Sequence, residues 1–230
     1  MTGCRILSMR AMVIAVLCLR AAAFMPGQRV EGPEHFRWSE ANAHALDRRY
    51  TIKSAVGLSP TQRKNLTSAV LTQLKRHKSL DTFFGGMAEE KLLDLAANTR
   101  IERVDLNGDG TAEVIAQANG LGPCGGTGNC IFWIFQMNSG NVKLLLDTFD
   151  AEAGFEVIAV RPWSTNGFRD LVLGAHISAS ERDLVWYRYA DGTYRRWRCY
   201  RLSRQGDNQE TAKAAALVQS NCEDMFTRDK

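Results

Sequence analysis

The stretch "RVDLNGDGTAEVIAQA", residues 103–118, places oxygen-bearing side chains at alternate positions around two glycines and then returns at once to apolar residues. Asn, Asp and Gly tolerate the left-handed backbone of a tight turn. The segments on either side, "RIERV" (100–104) and "EVIAQA" (113–118), are rich in β-formers. The stretch therefore predicts two strands joined by a polar turn. It also marks the point where the period of the apolar residues changes from helical to strand-like.

Further short strands are predicted after this turn, each bounded by Gly, Asn, Asp or Ser. They are "CIFWIF" (130–135), "VKLLLD" (142–147), "FEVIAV" (155–160), "DLVLGAHI" (170–177), "DLVWYRY" (183–189) and "TYRRWRC" (193–199). Two of the separators, "NSGN" (138–141) and "ADGT" (190–193), are typical of tight hairpin turns. Residues 100–205 are therefore expected to form an antiparallel β region.

An internal repeat is predicted within this β region. Asn107 aligns with Asn166, Trp133 with Trp186, and Gly140 with Gly192, at offsets of 59, 53 and 52 residues. Each unit would supply about four strands, and two units are too few to close a propeller. They would either stack as two sheets or form one twisted sheet. Chance similarity between two turn-rich segments is the alternative.

Helices are predicted on both sides of the β region. Residues 24–99 are expected to be mainly helical: a short helix within "SEANAHALDRR" (39–49), a long one from the Ser59 N-cap, and a third in "MAEEKLLDLAAN" (87–98). Ser59, Pro60 and Gln62 form a capping-box pattern. Residues 206–230 are expected to form a C-terminal helix and tail, because "NQETAKAAALVQS" (208–220) is rich in helix formers.

The first 23 residues have the order of a secretory signal: arginines, the apolar run "AMVIAVLCL" (11–19), and the small residues "AAA" (21–23). An uncleaved N-terminal anchor is the alternative. Cleavage would remove three arginines and no acid, which leaves 26 of the 29 basic residues against 25 acidic ones. The mature chain would then be nearly neutral, which argues against nucleic acid as a partner. A secreted or periplasmic location is expected, with no membrane span in the mature chain.

Four cysteines would remain after cleavage, an even number that suits an oxidising compartment. They are Cys124, Cys130, Cys199 and Cys222. Three pairings are possible, and we favour 124–130 with 199–222, because loops that are local in sequence close most readily. The spacing lacks the close pairs and partner histidines of a zinc site.

The turn itself matches a calcium-loop pattern. Asp105, Asn107 and Asp109 occupy positions 1, 3 and 5, Thr111 position 7 and Glu113 position 9. Position 12, a glutamate in an EF-hand, is Ala116, and a strand follows instead of a helix. The loop resembles the EF-hand-like calcium loops of the FG-GAP and VCBS repeat families, and this resemblance covers roughly residues 100–200. It implies Ca²⁺ as cofactor, bound by those five residues. The alternative is a turn selected for its backbone alone.

Other motifs are assigned structural roles. The glycine-rich segment "GLGPCGGTGNC" (120–130) lacks a following helix and is best explained as a disulfide-closed loop. His176, Ser178 and Glu181 lie close together in sequence, but no nucleophile-elbow motif accompanies them. Aromatic and basic residues of the last two strands are expected mainly to pack across strands, and a shared binding face is the alternative. That face would comprise Trp186, Tyr187, Tyr189, Tyr194, Arg196 and Arg198.

These observations together predict an α+β protein in which N-terminal helices pack on two decayed four-stranded repeats. We expect an exported, calcium-stabilised, non-catalytic interaction protein whose partner is a protein or a glycan. One alternative is an inhibitor or immunity-type protein that blocks a cell-wall or toxin enzyme through a loop such as 120–130. A second alternative is a hydrolase that uses His176.

Overall fold

The computed structural model describes residues 38, 43–78, 86–120, 124, 127–138, 140–149, 154–205 and 213–223. The expected signal segment lies outside these residues. The helices and strands within them are α1 (Pro60–Lys78), α2 (Glu89–Ala97), β1 (Arg100–Val104), β2 (Glu113–Gln117), β3 (Phe132–Asn138), β4 (Asn141–Asp147), β5 (Val157–Thr165), β6 (Phe168–His176), β7 (Glu181–Ala190), β8 (Thr193–Gln205) and β9 (Lys213–Ser220).

The strands form two antiparallel sheets, each ordered as in the chain: β1-β2-β3-β4 and β5-β6-β7-β8-β9. All eight predicted strands are confirmed. Both predicted hairpin turns are also confirmed, since Asn138 pairs with Asn141 and Ala190 pairs with Thr193. Gly140 (φ 105°) and Gly192 (φ 82°) supply the left-handed backbone that these turns need.

The two sheets stack face to face, so the alternative of one continuous sheet is excluded. Apolar side chains from both sheets form the core between them, including Ile115, Phe132 and Ile134 from the first sheet with Leu171, Leu173 and Val185 from the second. Alternate residues of each strand point to opposite faces. One face of every central strand therefore contributes to this shared core.

The opposite face of the first sheet is covered by the helices. Leu66, Val70 and Leu74 form the buried stripe of α1, and they pack with Leu92 of α2 and Trp133 of β3. Strand β2 lies between the helices and the second sheet, and all five of its residues are buried. The α+β arrangement is thus a helical layer, a four-stranded sheet and a five-stranded sheet.

The predicted capping box begins α1. The Ser59 hydroxyl accepts from the Gln62 backbone N–H at 3.2 Å, and the Gln62 side-chain oxygen accepts from the Ser59 N–H at 2.8 Å. These two bonds satisfy donors that a helix start would otherwise leave unpaired.

The predicted helix at 39–49 is wrong for the residues that the structure describes, 43–49. His44 exchanges two backbone hydrogen bonds with Ile158 of β5, both 3.0 Å long, and the Tyr50 carbonyl accepts from Ile101 of β1 at 2.7 Å. Leu46 between them is buried in the inter-sheet core. The segment therefore runs from an edge strand of one sheet to an edge strand of the other, and this pairing replaces a local helix.

The predicted C-terminal helix is also wrong for residues 213–220, which form β9, whereas residues 206–212 and 224–230 of that prediction lie outside the described residues. The β9 backbone pairs with β8, in a register that sets Leu202 opposite Leu217 and Cys199 opposite Ser220. Alanine-rich segments favour a helix in isolation. Here β8 is 13 residues long and offers an open edge, so tertiary pairing overrides that local preference.

Both favoured disulfides are present. Cys124 and Cys130 close a six-residue separation with Cα atoms 3.9 Å apart. Cys199 and Cys222 span 23 residues and tie the chain after β9 back to the middle of β8. Cys199 is buried in the inter-sheet core, so the second bridge anchors the C-terminal strand to that core.

The residue pairs of the predicted repeat occupy equivalent places in the two sheets. Asn107 and Asn166 lie in the turns between the first and second strands, Trp133 and Trp186 lie on the third strands, and Gly140 turns its chain into a fourth strand as Gly192 does. Common descent of the two units stays a prediction.

Candidate functional sites

The calcium-type loop joins β1 to β2 and is closed by its own first carboxylate. Asp105 accepts from the backbone N–H of Gly108 at 2.7 Å and from that of Gly110 at 3.0 Å. Gly108 (φ 74°) and Gly110 (φ 84°) both adopt left-handed backbone. Glycine is the residue that takes this conformation without strain. The loop therefore has the curvature that groups alternate side chains on one turn.

The middle of the loop is held by Asn107 and Asp109. The Asn107 Oδ1 accepts from the Asp109 N–H at 3.0 Å, and its Nδ2 donates to Asp109 Oδ2 at 2.7 Å. The other Asp109 oxygen accepts from the Thr111 N–H at 2.6 Å. These hydrogen bonds, that of the Thr111 N–H above all, lower the pKa of Asp109. Asp109 therefore carries its negative charge at neutral pH.

Glu113 differs from the other predicted ligands because it is buried. Its Oε2 accepts from the Leu106 N–H at 2.9 Å, and its Oε1 accepts from Gln136 at 3.3 Å. Burial raises the pKa of Glu113, and the bond from Leu106 opposes that rise. The carboxylate thus fastens the base of the loop to β2 and β3, and the negative charge of Asp109 adds to the rise of its pKa.

The donor set suits calcium in its chemistry. Asp105, Asn107, Asp109 and the Thr111 carbonyl are the residues that would hold the ion, and all supply the oxygen ligands that this hard cation requires. Within the described part of the chain, no three His, Cys, Asp or Glu side chains are gathered closely enough to form a metal cluster.

The equivalent turn of the second sheet has other contacts. Asn166 (φ 49°) donates from its side chain to the Tyr189 carbonyl at 2.9 Å. Asp170 is fully buried, and its Oδ2 accepts from the Trp186 indole at 2.9 Å and from Arg188 at 3.2 Å. These two residues therefore fix neighbouring strands.

The predicted aromatic–basic binding face is not a single face, and this expectation is corrected. Tyr187 and Tyr194 are buried in the core between the sheets, and Tyr189 packs beside them. Trp186 points to the opposite side of β7, where it is also buried. A bulge between Trp186 and Tyr187 shifts the register with β8 and changes which β8 residues lie beside each ring.

A cluster of tryptophan rings with an arginine lies on that opposite side of β7, and the sequence pattern did not predict it. Trp186 packs against Trp163 and Trp197, with ring centres 5.5 and 5.0 Å away. The Arg188 guanidinium lies 3.2 Å from the centre of the Trp197 ring. The alternation of residues along β5 and β7 was the available signal, but the pattern could not show that Trp163 of β5 contacts Trp186 across β6, the strand that lies between them.

The contacts of His176 are those of a residue with a structural role. Its backbone exchanges two 2.8 Å hydrogen bonds with the Asn129 side chain, and its Nδ1 lies 3.9 Å from Glu156. The Ser178 hydroxyl lies 3.5 Å from that of Ser180. The adjoining hollow of about 60 Å³ has room for only a few water molecules, and its volume is far below the ~300 Å³ of small ligand pockets.

Two larger depressions occur on the described surface. One, of about 320 Å³, is an apolar groove that includes Tyr50, Val56 and Ile101, and Val56 is 84% exposed. The other, of about 300 Å³, lies between β4 and β8 and is lined mainly by polar groups. Neither helix among the described residues combines the length and the apolar composition that a bilayer span requires. Comparison with known protein families, curated proteins and solved structures finds no match to this chain.

Proposed function

We propose that the protein is an exported, non-catalytic interaction module whose β-sandwich is stabilised by calcium in the loop 105–113. The observation that carries the proposal is the loop's self-closed turn, in which Asp105 and Asp109 lie around two left-handed glycines. The turn conformation requires the glycines but not the two carboxylates. On one short turn, the two carboxylates repel each other. A bound cation would relieve that repulsion.

The position of the loop supports a stabilising role. Leu106, inside the loop, is buried in the core between the sheets. Glu113 at the loop's end holds the Leu106 N–H, so the exposed turn and the core residue are parts of one hydrogen-bonded unit. An ion on the exposed side would therefore restrain a residue that both sheets pack against.

Export and interaction are supported by separate features. Two disulfides are typical of proteins in oxidising compartments, and the N-terminal 23 residues have the order of a secretory signal. Binding is favoured over catalysis because the hollow beside His176, of about 60 Å³, is small for a substrate pocket. A protein or glycan partner fits such a module.

The test is calcium titration by calorimetry together with thermal unfolding of the mature chain. We expect dissociation constants on the order of 10⁻⁴ to 10⁻³ M, as in extracellular calcium modules. At ten times that concentration, linkage adds about 1.4 kcal/mol to the free energy of unfolding. The double variant Asp105→Asn/Asp109→Asn should lose both the heat of binding and the thermal shift.

The matched control is Asp191→Asn, in the β7–β8 hairpin. Asp191 also lies in a turn with left-handed backbone (φ 51°), which asparagine tolerates. This control should keep the full calcium response. The calcium proposal fails if the wild-type chain gives no heat and no thermal shift at millimolar calcium, or if the double variant responds as the wild type does.

A further inference from the structure

The apolar groove of about 320 Å³ lies beside β1, where the chain crosses from the second sheet to the first. Two of its lining residues, Ala55 and Ile101, are buried in the core beneath the helices. Two others, Tyr50 and Val56, are 47% and 84% exposed. Exposed apolar side chains grouped around a concave surface are typical of a protein-interaction site. The groove therefore suits an apolar side chain of a partner.

The strand β1 leaves one position of its outer edge unpaired beside this groove. The Ile101 N–H points away from β2 and donates to the Tyr50 carbonyl at 2.7 Å. Backbone groups of alternate residues in an antiparallel strand point the same way, so those of Arg103 also point away from β2. On that side, no backbone hydrogen bond joins Arg103 to another described segment. Arg103 is exposed, and such an edge position is a template for pairing with another chain.

The side chain of Arg103 supplies a charge that can select a partner. Its Nη1 donates to the Gly57 carbonyl at 3.2 Å, and no carboxylate among the described residues pairs with it. A guanidinium group has five N–H donors, so this single bond leaves donors for a carboxylate. The acidic groups of the groove are already paired, Glu102 with His44 and Asp47 with Arg49.

These three features together match an extended peptide. The N–H and carbonyl of one residue on a strand edge pair with the N–H and carbonyl of a residue on an added strand. Arg103 and Ile101 are two residues apart and therefore lie on the same face of β1. An added strand that places an acidic residue opposite Arg103 places its residues two positions away on that face too. An apolar residue there would lie at the groove.

We propose that an extended segment of a partner protein pairs with the outer edge of β1 at Arg103. An acidic residue of that segment pairs with the Arg103 guanidinium, and an apolar residue two positions away lies against Tyr50 and Val56. This inference rests on the proposed role as an interaction module, for which it names the surface and the chemistry of the partner. It does not require bound calcium.

The test is NMR titration of the ¹⁵N-labelled mature chain with the peptide acetyl-Leu-Thr-Glu-Thr-Leu-amide. A leucine two positions from the glutamate on either side serves both strand directions. We expect saturable shifts of the Val56 and Arg103 amide signals, and slower hydrogen exchange at the Arg103 amide because it gains an acceptor. No saturable shift at millimolar peptide, with the calcium response retained in the same sample, would overturn this inference and leave the calcium proposal standing.

Three altered peptides separate the contacts. N-methylation of the glutamate removes the N–H that would donate to the Arg103 carbonyl and should weaken binding about fivefold or more. Glutamine in place of glutamate should weaken it about two- to fivefold, as for an exposed ion pair. Serine in place of both leucines should weaken it about tenfold or more by removing apolar burial. Equal affinity of the N-methylated peptide would overturn the strand pairing.

Two variants of the protein test the same contacts from its side. Arg103→Glu should reverse the preference, so that acetyl-Leu-Thr-Lys-Thr-Leu-amide binds more tightly than the glutamate peptide. Val56→Ser should weaken the glutamate peptide about fivefold, since Val56 loses apolar area that binding covers. Val56 is 84% exposed, so this variant keeps the test valid if Arg103→Glu misfolds. An unchanged preference in folded Arg103→Glu would overturn the charge assignment.

The matched control is Leu93→Ser, which changes a 49% exposed leucine of α2 outside the groove. It should bind the glutamate peptide as the wild type does, and a loss equal to that of Val56→Ser would overturn the proposal. Sedimentation identifies another occupant. If the wild type self-associates and Val56→Ser does not, the groove holds a second copy of this chain, and the assignment to a partner protein is overturned.

Discussion

The backbone N–H of Arg169 donates to the carbonyl oxygen of Leu106 at 2.7 Å, which joins the calcium-type loop to the start of β6 in the second sheet. The Leu106 N–H in turn donates to Glu113, and the Arg169 carbonyl accepts from the Tyr194 hydroxyl. Four residues thus form a hydrogen-bonded chain from the base of the loop to the wall of the β4–β8 cleft. Restraining the loop should therefore also restrain residues of the second sheet.

We therefore expect millimolar calcium to slow hydrogen exchange at the Arg169 amide, because ordering the loop holds its acceptor in place. This expectation rests on the calcium proposal. Exchange measured by NMR with and without calcium would check it. The Ile158 amide, which bonds to His44 at 3.0 Å instead of to the loop, is the internal reference and should change little. Calcium binding with no change at Arg169 would contradict the coupling.

The two disulfides should differ in their contribution to stability. In the chain-entropy model, the Cys199–Cys222 loop contributes roughly 3 kcal/mol and the Cys124–Cys130 loop roughly 2 kcal/mol. The long bridge also secures β9, whose only sheet neighbour among the described strands is β8. Cys199→Ala/Cys222→Ala should thus lower the melting temperature more than Cys124→Ala/Cys130→Ala. Double variants leave no unpaired thiol, and the reverse order of melting temperatures would refute this ranking.

Removal of the buried Asp170 carboxylate should be costly, because it leaves Arg188 and the Trp186 indole without their acceptor. We expect Asp170→Ala to lower the free energy of unfolding by about 3 kcal/mol. Asp170→Asn should lose less, since its side-chain oxygen can still accept from Trp186. Urea unfolding measures both, with the exposed Asp191→Asn as control. A loss below about 0.5 kcal/mol in Asp170→Ala, typical of surface changes, would show that this contact is dispensable.

Stability should fall at alkaline pH because of two buried tyrosines. Burial raises the pKa of Tyr187 and of Tyr194 above the ordinary value of 10.0. The unfolded chain therefore releases these protons at lower pH than the folded chain does. Their contribution is complete below pH 10.0 and is lost as the pH rises through and above that value.

Tyr187→Phe should accordingly flatten the decline of unfolding free energy above pH 10.0, with no loss at neutral pH. Tyr194→Phe should flatten it too, but should cost about 1 kcal/mol at neutral pH, because it removes the bond to the Arg169 carbonyl. Urea unfolding across this pH range checks both, with exposed Tyr50→Phe as control. An unchanged slope in Tyr187→Phe would mean that its hydroxyl ionises as readily in the folded chain as in the unfolded one.

The chemistry of residues close together in the chain was enough to determine most of the secondary structure after residue 100, the start of α1 and the disulfide pairing. Gly140 and Gly192 mark hairpins because the turns need left-handed backbone, and Ser59 with Gln62 marks a helix start because the first N–H groups need acceptors. The eight strands between residues 100 and 199 follow from alternation and turn residues, and the disulfide pairing follows from short loop closure. Each of these depends on a residue's near neighbours in the chain.

Other features depended on contacts between distant segments, and only the tertiary structure decided them. Residues 213–220 form a strand because β8 offers an open edge. Residues 43–49 do not form a helix, because His44 pairs with Ile158 and Leu46 is buried in the core. Glu113 turned inward because Leu106 and Gln136 lie beneath the loop. Tyr187 is buried because the two sheets pack against each other at that point. The sequence shows which residues a strand contains. Which face of that strand is buried, and by which helices or strands, is decided only when the layers pack together.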